Sequence, residues 1–262
     1  MELELITQIP DENPRPTPVL FVHGSWHGAW CWENFLPYFA GRGYRSYAVS
    51  LRGHGESAGR DGIRWHSAAR DYVADIEQVV RTFDTPPVIV GHSMGGYILQ
   101  KYLEDHTAAA GVLLASIPAS GIFRFGLRNL RRHPWPFIKA HLLLAPWHIV
   151  STPALAHDAF FSPGMPPEEV ARHFARLQPE SFRMELETML LDLPRPKKVK
   201  TPMLVLAAAN DRVFSVAEEQ ATARAYHTEA EVFPDMAHDM MLEPGWEKVA
   251  ERIVGWLQER GL

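Results

Sequence analysis

The chain has 262 residues, nearly half of them apolar, and a formal net charge of −5 from 26 basic and 31 acidic residues. This composition is typical of a globular protein and favours neither disorder nor nucleic-acid binding. The single cysteine, Cys31, excludes an intrachain disulfide. The N-terminus lacks the basic start and apolar run of a secretory signal, and the longest apolar run is too short to span a bilayer. We therefore expect a cytoplasmic protein that does not insert stably into membranes.

Short β-type runs recur along the chain, and helical stretches separate them. The runs are almost continuously apolar, as in parallel strands that are covered on both faces. The pattern predicts an edge strand in ELELI, then strands in TPVLFVHG, YRSYAVSL, PPVIVGHS, AGVLLASI, TPMLVLAAA and AEVFPDM. Between them, apolar stripes at helical spacing run over 65–83 and 246–257. This alternation predicts an α/β fold with a doubly wound, mostly parallel sheet.

One segment interrupts the alternation. Residues 117–200 contain no convincing buried strand and are rich in proline, aromatic and long apolar side chains. We interpret them as a helical cap insertion in a core formed by residues 1–116 and 201–262. The insertion carries twelve basic and seven acidic residues, a net of +5, which leaves −10 on the rest of the chain. This contrast is consistent with ordinary surface solubility or with a basic rim that attracts anionic substrates or surfaces.

The pentapeptide Gly91-His92-Ser93-Met94-Gly95 follows the predicted strand PPVIV and precedes a helix-compatible segment. In that position, G-x-S-x-G is typical of a nucleophile elbow, a sharp turn that exposes the serine. Because a serine hydroxyl is a weak nucleophile at neutral pH, it needs a histidine base that a carboxylate orients. Ser93 is therefore the candidate nucleophile. His92 is expected to point away from the site and to serve packing.

The two partners of the serine are expected downstream, first the acid and then the histidine. Asp211 follows the strand-like run MLVLAAA, and His238 follows AEVFPDM. Both would lie where parallel strands end, which is where open α/β sheets bind ligands. Asp235 and Asp239 are too close in sequence to His238 to orient its far ring nitrogen comfortably. The sequence thus predicts a triad of Ser93, Asp211 and His238.

A glycine-rich run, FVHGSWHGAW, follows an early strand and can aim a backbone N–H at a developing negative charge. We expect the N–H groups of Ser25 and Met94 to form an oxyanion hole.

Apolar side chains of the insertion are expected to form a pocket wall near the serine. The predicted substrate-binding side chains are Trp26, Trp135, Phe137 and Trp147. Cys31 and the histidines show no metal-ligand spacing, so we expect no metal and no cofactor.

Together these motifs resemble the α/β-hydrolase superfamily, over nearly the whole chain outside the insertion. The likeness rests on HGSWHGAW, LRGHGES, GHSMGG, AANDRVF and AHDMML. HGSWHGAWCWENF and HDMMLEP are closer to the branch of plant methylesterases and hydroxynitrile lyases, whereas LRGHGES is more typical of bacterial esterases, C–C bond hydrolases and perhydrolases. The resemblance implies a serine hydrolase with a lid-like cap. Since the related lyases carry lysine where this chain has Asp239, it argues against lyase activity.

The expected activity is that of a carboxylesterase, which cleaves a small or medium apolar ester through an acyl-enzyme. Lactone, C–C bond or peroxy-acid chemistry on the same triad is the alternative within enzymes. Some relatives implied by the resemblance are hormone receptors, so a triad-bearing small-molecule receptor is the alternative outside enzymes. The expected partner is the small-molecule ester, with no nucleic acid, and the sequence makes no prediction of oligomeric state.

Overall fold

Seven strands form one sheet in the computed structural model, which describes residues 1–262 apart from the side chains of residues 64 and 66. The strands are β1 (Leu5–Gln8), β2 (Val19–Val22), β3 (Ser46–Val49), β4 (Val88–His92), β5 (Ala110–Leu114), β6 (Met203–Ala208) and β7 (Ala230–Phe233). Their order across the sheet is β1-β3-β2-β4-β5-β6-β7. The edge strand β1 is antiparallel to β3, and the other pairs are parallel. The predicted mostly parallel sheet is confirmed.

The central strands are apolar apart from His92 at the end of β4, because both faces of the sheet are covered. Every residue of β2, β4, β5 and β6 is buried. Side chains alternate between the two faces, so that Phe21 packs in one hydrophobic cluster while Leu20 and Val22 pack in the other. Burial on both faces explains why these runs show no alternation of apolar and polar residues.

Helices cover both faces of this sheet. They are α1 (Phe35–Ala40), α2 (Ile63–His66), α3 (Ala69–Val80), α4 (Met94–Tyr102), α5 (Phe123–Arg132), α6 (Pro134–Leu142), α7 (Pro153–Phe160), α8 (Pro167–Phe174), α9 (Phe182–Leu186), α10 (Val216–Ala225) and α11 (Trp246–Gln258). Phe35 of α1 and Ile253 of α11 pack on the side of Phe21, whereas Tyr72 of α3 and Ile98 of α4 pack on the opposite side. No helix within the described residues has the length and apolar character needed to cross a bilayer.

The apolar stripe predicted over 65–83 is divided between two helices. α3 begins at Ala69 because the N–H of Ala68 donates to the carboxylate of Asp71 at 2.8 Å, which caps the helix. Trp65 lies in the preceding single turn, α2, and is 45% exposed, and Phe83 lies beyond the end of α3. The apolar periodicity does not predict where such a capping bond begins the helix. The stripe over 246–257 is one helix, α11.

Helices α5 to α9 all lie between β5 and β6, and the described backbone of residues 115–202 contains no strand. This segment is attached to loops at the edge where the parallel strands end. The N–H of Gln178 donates to the carbonyl of Trp26 at 2.8 Å, and the N–H of Asp239 donates to the carbonyl of Phe160 at 3.0 Å. These bonds join the segment to the loops after β2 and β7, and so place it beside the candidate site.

Candidate active site

Four loops at one edge of the sheet carry the residues that the sequence predicts to be functional. Ser25 follows β2, Ser93 follows β4, Asp211 follows β6 and His238 follows β7. These four strands belong to the parallel part of the sheet, so their carboxyl ends lie at the same edge. That edge is the usual ligand-binding side of an open α/β sheet.

Ser93 occupies a strained turn between β4 and α4. Its backbone has φ 49° and ψ −115°, a conformation that residues with a side chain rarely adopt. Glycines make the turn sterically accessible, since a Cβ on Gly91 would lie 2.4 Å from the Gly95 carbonyl oxygen, and one on Gly95 would lie 2.3 Å from that of Val22. The N–H of Ser93 donates to the carbonyl of Leu114 at 3.1 Å, which attaches the turn to β5.

Asp211 and His238 form a buried, hydrogen-bonded pair. Oδ2 of Asp211 lies 2.8 Å from Nδ1 of His238, and both side chains are almost fully buried. The other carboxylate oxygen accepts hydrogen bonds from the N–H groups of Val213 at 2.6 Å and Phe214 at 3.0 Å. These bonds hold the carboxylate, and the carboxylate orients the imidazole. With Nδ1–H donating to Asp211, Nε2 is the proton acceptor of the neutral ring.

Charges around His238 favour its protonated form. Burial lowers the pKa of His238, but the charge and hydrogen bond of Asp211 raise it, and the charge of Asp239 raises it further. The opposing effects leave the pKa above the ordinary value of histidine. The site is therefore built to stabilise the imidazolium that forms when the ring takes up a proton.

Residues 24–27 form a tight turn beside Ser93. A 3.3 Å hydrogen bond closes the turn, and its third residue has the positive φ, 66°, that a type II turn requires there. A Cβ on Gly24 would lie 2.9 Å from the Cβ of Ser93, so glycine allows the turn to approach the serine. The N–H groups of Ser25 and Met94 donate to no acceptor within the described residues. Both residues line the same pocket as Ser93.

A pocket opens beside the serine. Its apolar wall comes from the core and from the inserted segment, and consists of Trp26, Met94, Ile117, Ile122, Phe125, Pro146, Ile149, Met184, Val213 and Phe214. Its polar groups come from Ser25, Ser93, Glu180, Glu185 and Thr188. The ring of Phe214 also packs edge-on against the imidazole of His238, with centroids 5.5 Å apart. An apolar cavity with few polar groups is the usual form of a small-molecule site.

Of the four aromatic residues predicted to bind substrate, Trp26 lines this pocket and the other three do not. Trp135 is 70% exposed on the outside of α6, and Phe137 packs on the imidazole of His141, with ring centroids 4.1 Å apart. Trp147 lines a neighbouring cavity. The structure places these three side chains outside this pocket, which composition could not predict because it does not reveal which side of a helix faces inward. The inner sides of the helices instead present Ile122, Phe125 and Met184.

Two glutamates in the pocket wall were not predicted from the sequence. Glu180 is buried, its Oε1 accepts from the hydroxyl of Tyr72 at 2.8 Å, and its Oε2 lies 3.2 Å from Nε2 of His54. Oε1 of Glu185 lies 3.4 Å from Nε2 of His141, and its Oε2 has no hydrogen-bond partner in the described part of the chain. Burial raises the pKa of Glu185 to about 7, against the opposing charge of His141. The pocket thus contains a carboxyl group that titrates near neutrality.

A second buried network joins the turn after β2 to the loop of His238. Nε2 of His27 lies 3.0 Å from Oδ2 of Asp239, and its Nδ1 lies 2.8 Å from the carbonyl oxygen of Ser25. His92 is buried, and its Nε2 lies 3.1 Å from the carbonyl oxygen of His238. Burial lowers the pKa of His92 to about 3, so the ring is neutral and its Nε2–H donates. His92 therefore stabilises the loop that carries His238.

His92, His238 and Asp239 also offer potential ligand atoms within 4.8 Å of one another, the one such group of three among the described residues. Hydrogen bonds already use all three of these side chains, since Nε2 of His92 donates to the carbonyl of His238. Nδ1 of His238 binds Asp211, and Oδ2 of Asp239 binds His27. We therefore interpret the group as a hydrogen-bonded network that holds the loop after β7.

A doubly wound sheet with a serine turn at the carboxyl end of its central strand defines a hydrolase of the α/β type. The sequence profile of the alpha/beta hydrolase family matches residues 19–252, and the chain belongs to that family. The family resemblance predicted from the motifs is confirmed.

Similar proteins are consistent with this class. The chain is 34% identical over 114 residues to an Oryza sativa protein named as a probable esterase, a match that covers 39% of this chain and 40% of that protein. It is 27% identical over 214 residues to the pFDCC methylesterase of Arabidopsis thaliana, covering 74% of this chain and 77% of the relative. The solved structure of an esterase from Exiguobacterium antarcticum superposes with a TM-score of 0.72 at 19% identity, over 98% of this chain and 94% of that one. The likeness to plant methylesterases that the motifs predicted is thus found.

Proposed function

We propose that this hydrolase is a carboxylesterase in which Ser93 is the nucleophile, His238 the base and Asp211 the residue that orients the base. The observation that carries the proposal is the 2.8 Å contact between Oδ2 of Asp211 and Nδ1 of His238, at the sheet edge that holds the strained turn of Ser93. A histidine oriented in this way activates a serine hydroxyl for attack on a carbonyl carbon. Esterases among the similar proteins support the same reaction.

In the first half-reaction, Oγ of Ser93 attacks the ester carbonyl carbon while Nε2 of His238 accepts the hydroxyl proton. The carbonyl oxygen becomes an oxyanion, to which the N–H groups of Ser25 and Met94 donate. Loss of one such donor typically lowers kcat by about 10² to 10³. The C–O bond to the alcohol then breaks, and His238 gives its proton to the leaving oxygen. The acyl group is left as an ester of Ser93.

In the second half-reaction, a water molecule replaces the alcohol. Nε2 of His238 accepts a proton from this water, whose oxygen attacks the acyl carbon, and the same two N–H groups bind the oxyanion. When the intermediate collapses, the bond to Oγ of Ser93 breaks and the histidine returns the proton to that oxygen. The net reaction converts an ester and water into a carboxylic acid and an alcohol.

The inserted segment, residues 117–200, is proposed as the cap that selects the acyl group. Ile122, Phe125 and Met184 contribute an apolar wall to the pocket beside the serine. Each methylene that such a wall removes from water contributes about 0.8 kcal/mol, roughly a fourfold gain in binding. The favoured substrates are therefore esters with a small or medium apolar acyl group.

The same triad would also serve in lactone opening, C–C bond cleavage or peroxy-acid formation. These reactions share the oxyanion hole and differ in the bond that breaks or in the molecule that attacks the acyl group. We place ester hydrolysis first because the match to the Arabidopsis thaliana methylesterase extends over 74% of this chain. A receptor that retained the triad would differ from all of these in failing to turn over.

The proposal is tested with p-nitrophenyl esters of graded acyl length, using the wild type, Ser93→Ala and Ser120→Ala. Ser120 is exposed outside the pocket and serves as the matched control. We expect repeated turnover with released acid for the wild type and the control, and a loss of about three or more orders of magnitude for folded Ser93→Ala. Near wild-type turnover by folded Ser93→Ala would overturn the nucleophile. A single stoichiometric burst without further turnover in the wild type would instead identify a receptor.

A further inference from the structure

The outer sides of α5 and α6 expose two rows of large apolar side chains. On α5 these are Phe123, Leu127 and Leu130, at spacings i, i+4 and i+7, and on α6 they are Trp135, Ile138 and Leu142, at i, i+3 and i+7. Such spacings place each row along one side of its helix. Leu190 and Leu191 are also exposed, and these eight side chains together are called the cap face below.

The parts of the cap face lie close together. α5 and α6 are joined through His133, and a Cβ on Gly126 of α5 would lie 3.8 Å from the ring of Phe137 on α6. Leu190 and Leu191 come shortly after Thr188 in the chain. The carbonyl of Thr188 accepts a hydrogen bond at 3.0 Å from the N–H of Ile122, at the start of α5. The cap face is therefore carried by two packed helices and by a segment that is bonded to the start of the first.

The exposed rows are distinct from the inward sides of α5 and α6. α5 already turns Phe125 into the pocket and buries Asn129, and α6 buries Ala140. The cap face is thus a second, outward apolar side, on which Trp135 is 70% exposed and Leu142 and Leu191 are each 75% exposed. Large apolar side chains that are exposed together on a protein surface mark an interaction site.

The same helices concentrate positive charge. Residues 123–150 contain five arginines and lysines and no acidic residue, although the whole chain is at −5. Arg128 pairs with Glu218 at 2.8 Å, and Arg132 pairs with Asp158 at 2.8 Å. The three others, which are exposed and form no ion pair within the described residues, are Arg124, Arg131 and Lys139. Unneutralised cations therefore border the apolar rows.

We propose that the cap face docks on an anionic lipid surface, with its apolar rows in the interface and Arg124, Arg131 and Lys139 at the headgroup phosphates. Helices with an apolar side and unpaired cations beside it bind in this way, parallel to the membrane plane. A second copy of the chain is a poorer occupant, because a two-fold axis through the face would bring the same cations together. Docking of this kind requires no membrane-spanning helix.

The position of the cap face relates docking to the pocket. Phe125 lines the pocket from α5, and the outward residues Phe123 and Leu127 lie on the same helix. An apolar ester held in the lipid surface would therefore enter close to the site without first dissolving in water. This consequence rests on the proposed esterase activity, whereas the docking itself does not.

Docking is tested by co-sedimentation with vesicles of phosphatidylcholine alone and of phosphatidylcholine with phosphatidylglycerol in equal amounts. The wild type and Ser93→Ala should bind the mixed vesicles alike, and more tightly than the neutral ones, and salt should weaken the binding. Changing Arg124, Arg131 and Lys139 together to glutamine should lower the partition coefficient about a hundredfold, since each cation near the surface contributes roughly fivefold. Trp135→Ser combined with Leu142→Ser should lower it at least about tenfold.

Matched controls lie outside the insertion. The charge control changes Arg70, Arg224 and Lys248 to glutamine, and the apolar control combines Ile9→Ser with Val232→Ser, all at exposed positions. Both controls should bind as the wild type does. Equal binding of the wild type to neutral and mixed vesicles, or an equal loss in the controls, would overturn the proposal. A change of oligomeric state in the cap-face variants without any change in vesicle binding would assign the face to a second copy and would also overturn it.

Discussion

Nε2 of His27 lies 3.0 Å from Oδ2 of Asp239, and both side chains are buried. His27 belongs to the turn after β2, whereas Asp239 follows His238 directly in the loop after β7. Burial raises the pKa of Asp239, but the partnership with His27 lowers it, and the net pKa lies below the ordinary value. The contact therefore places a second carboxylate beside the proposed base and joins that loop to the turn of Ser25.

Asp239→Asn should move the acid limb of the pH profile of kcat/KM to lower pH. The charge of Asp239 raises the pKa of His238, and hydrolysis requires the neutral ring, so activity rises as pH passes through that pKa. Without the charge the rise occurs earlier. The matched control, Asp235→Asn at an exposed position of the same loop, should leave the limb in place. A limb that stays unmoved or shifts to higher pH in the Asp239 variant would contradict this role.

Asp211→Asn should leave the fold intact and lower kcat by roughly 10⁴, because the imidazole loses its orientation and the stabilisation of its charged form. The comparison is with Asp235→Asn, which should retain wild-type kcat. Circular dichroism and thermal unfolding establish that both variants fold. If Asp235→Asn proves damaging and Asp211→Asn does not, the orienting acid has been assigned to the wrong residue.

Phe125→Ala should shift the preferred acyl chain to greater length, because the side chain that it removes forms part of the pocket wall. For the wild type we expect kcat/KM to rise from acetyl to about butyryl or hexanoyl esters, at up to roughly fourfold per methylene, and then to level off or fall. Trp135→Ala, at an exposed position outside the pocket, should keep the wild-type profile for soluble esters. A steady decline from acetyl esters in the wild type would show that the wall does not select apolar acyl groups.

The folding stability of the wild type is expected to fall as pH rises, and Glu185→Gln should lessen this fall. The folded-state pKa of Glu185 is raised from 4.5 to about 7, so between these values the folded protein keeps a proton that the unfolded chain releases. Folding stability therefore falls as pH rises through this window. Tm measured at pH 5 and pH 8 should differ less for Glu185→Gln than for the wild type or for the exposed control Glu12→Gln. An equal difference in all three proteins would contradict the raised pKa.

The core of the fold could be predicted because its signals are local and continuous. Strands β2, β4, β5 and β6 are buried on both faces, and each appears in the sequence as an apolar run, with His92 at the end of β4 as the exception. The contact of Asp211 with His238 could be anticipated because each residue follows a predicted strand, in an order that one architecture requires. Glycines beside Ser93 supplied a further local signal, since they correspond to close backbone contacts.

The pocket and its surroundings could not be predicted in the same way. Phe125 of α5 points into the pocket and Phe123 points outward. Because both are aromatic, composition alone did not show which side of the helix faces the pocket. Glu185 lies in MELETML, where acids and apolar residues are interleaved at short spacing, so either set could have faced the pocket. His27 and Asp239 are 212 residues apart in sequence, and a contact between two polar loop residues at that separation leaves no pattern in a single chain.

The most direct test of the esterase mechanism is to locate the covalent intermediate. The wild type and Ser93→Ala are reacted with a fluorophosphonate, which traps an activated serine, and the digested proteins are analysed by mass spectrometry. The mechanism predicts one adduct per chain on Oγ of Ser93, loss of ester turnover in proportion to labelling, and no adduct in folded Ser93→Ala. An adduct on another residue, or full turnover in a wild-type protein labelled at Ser93, would contradict it.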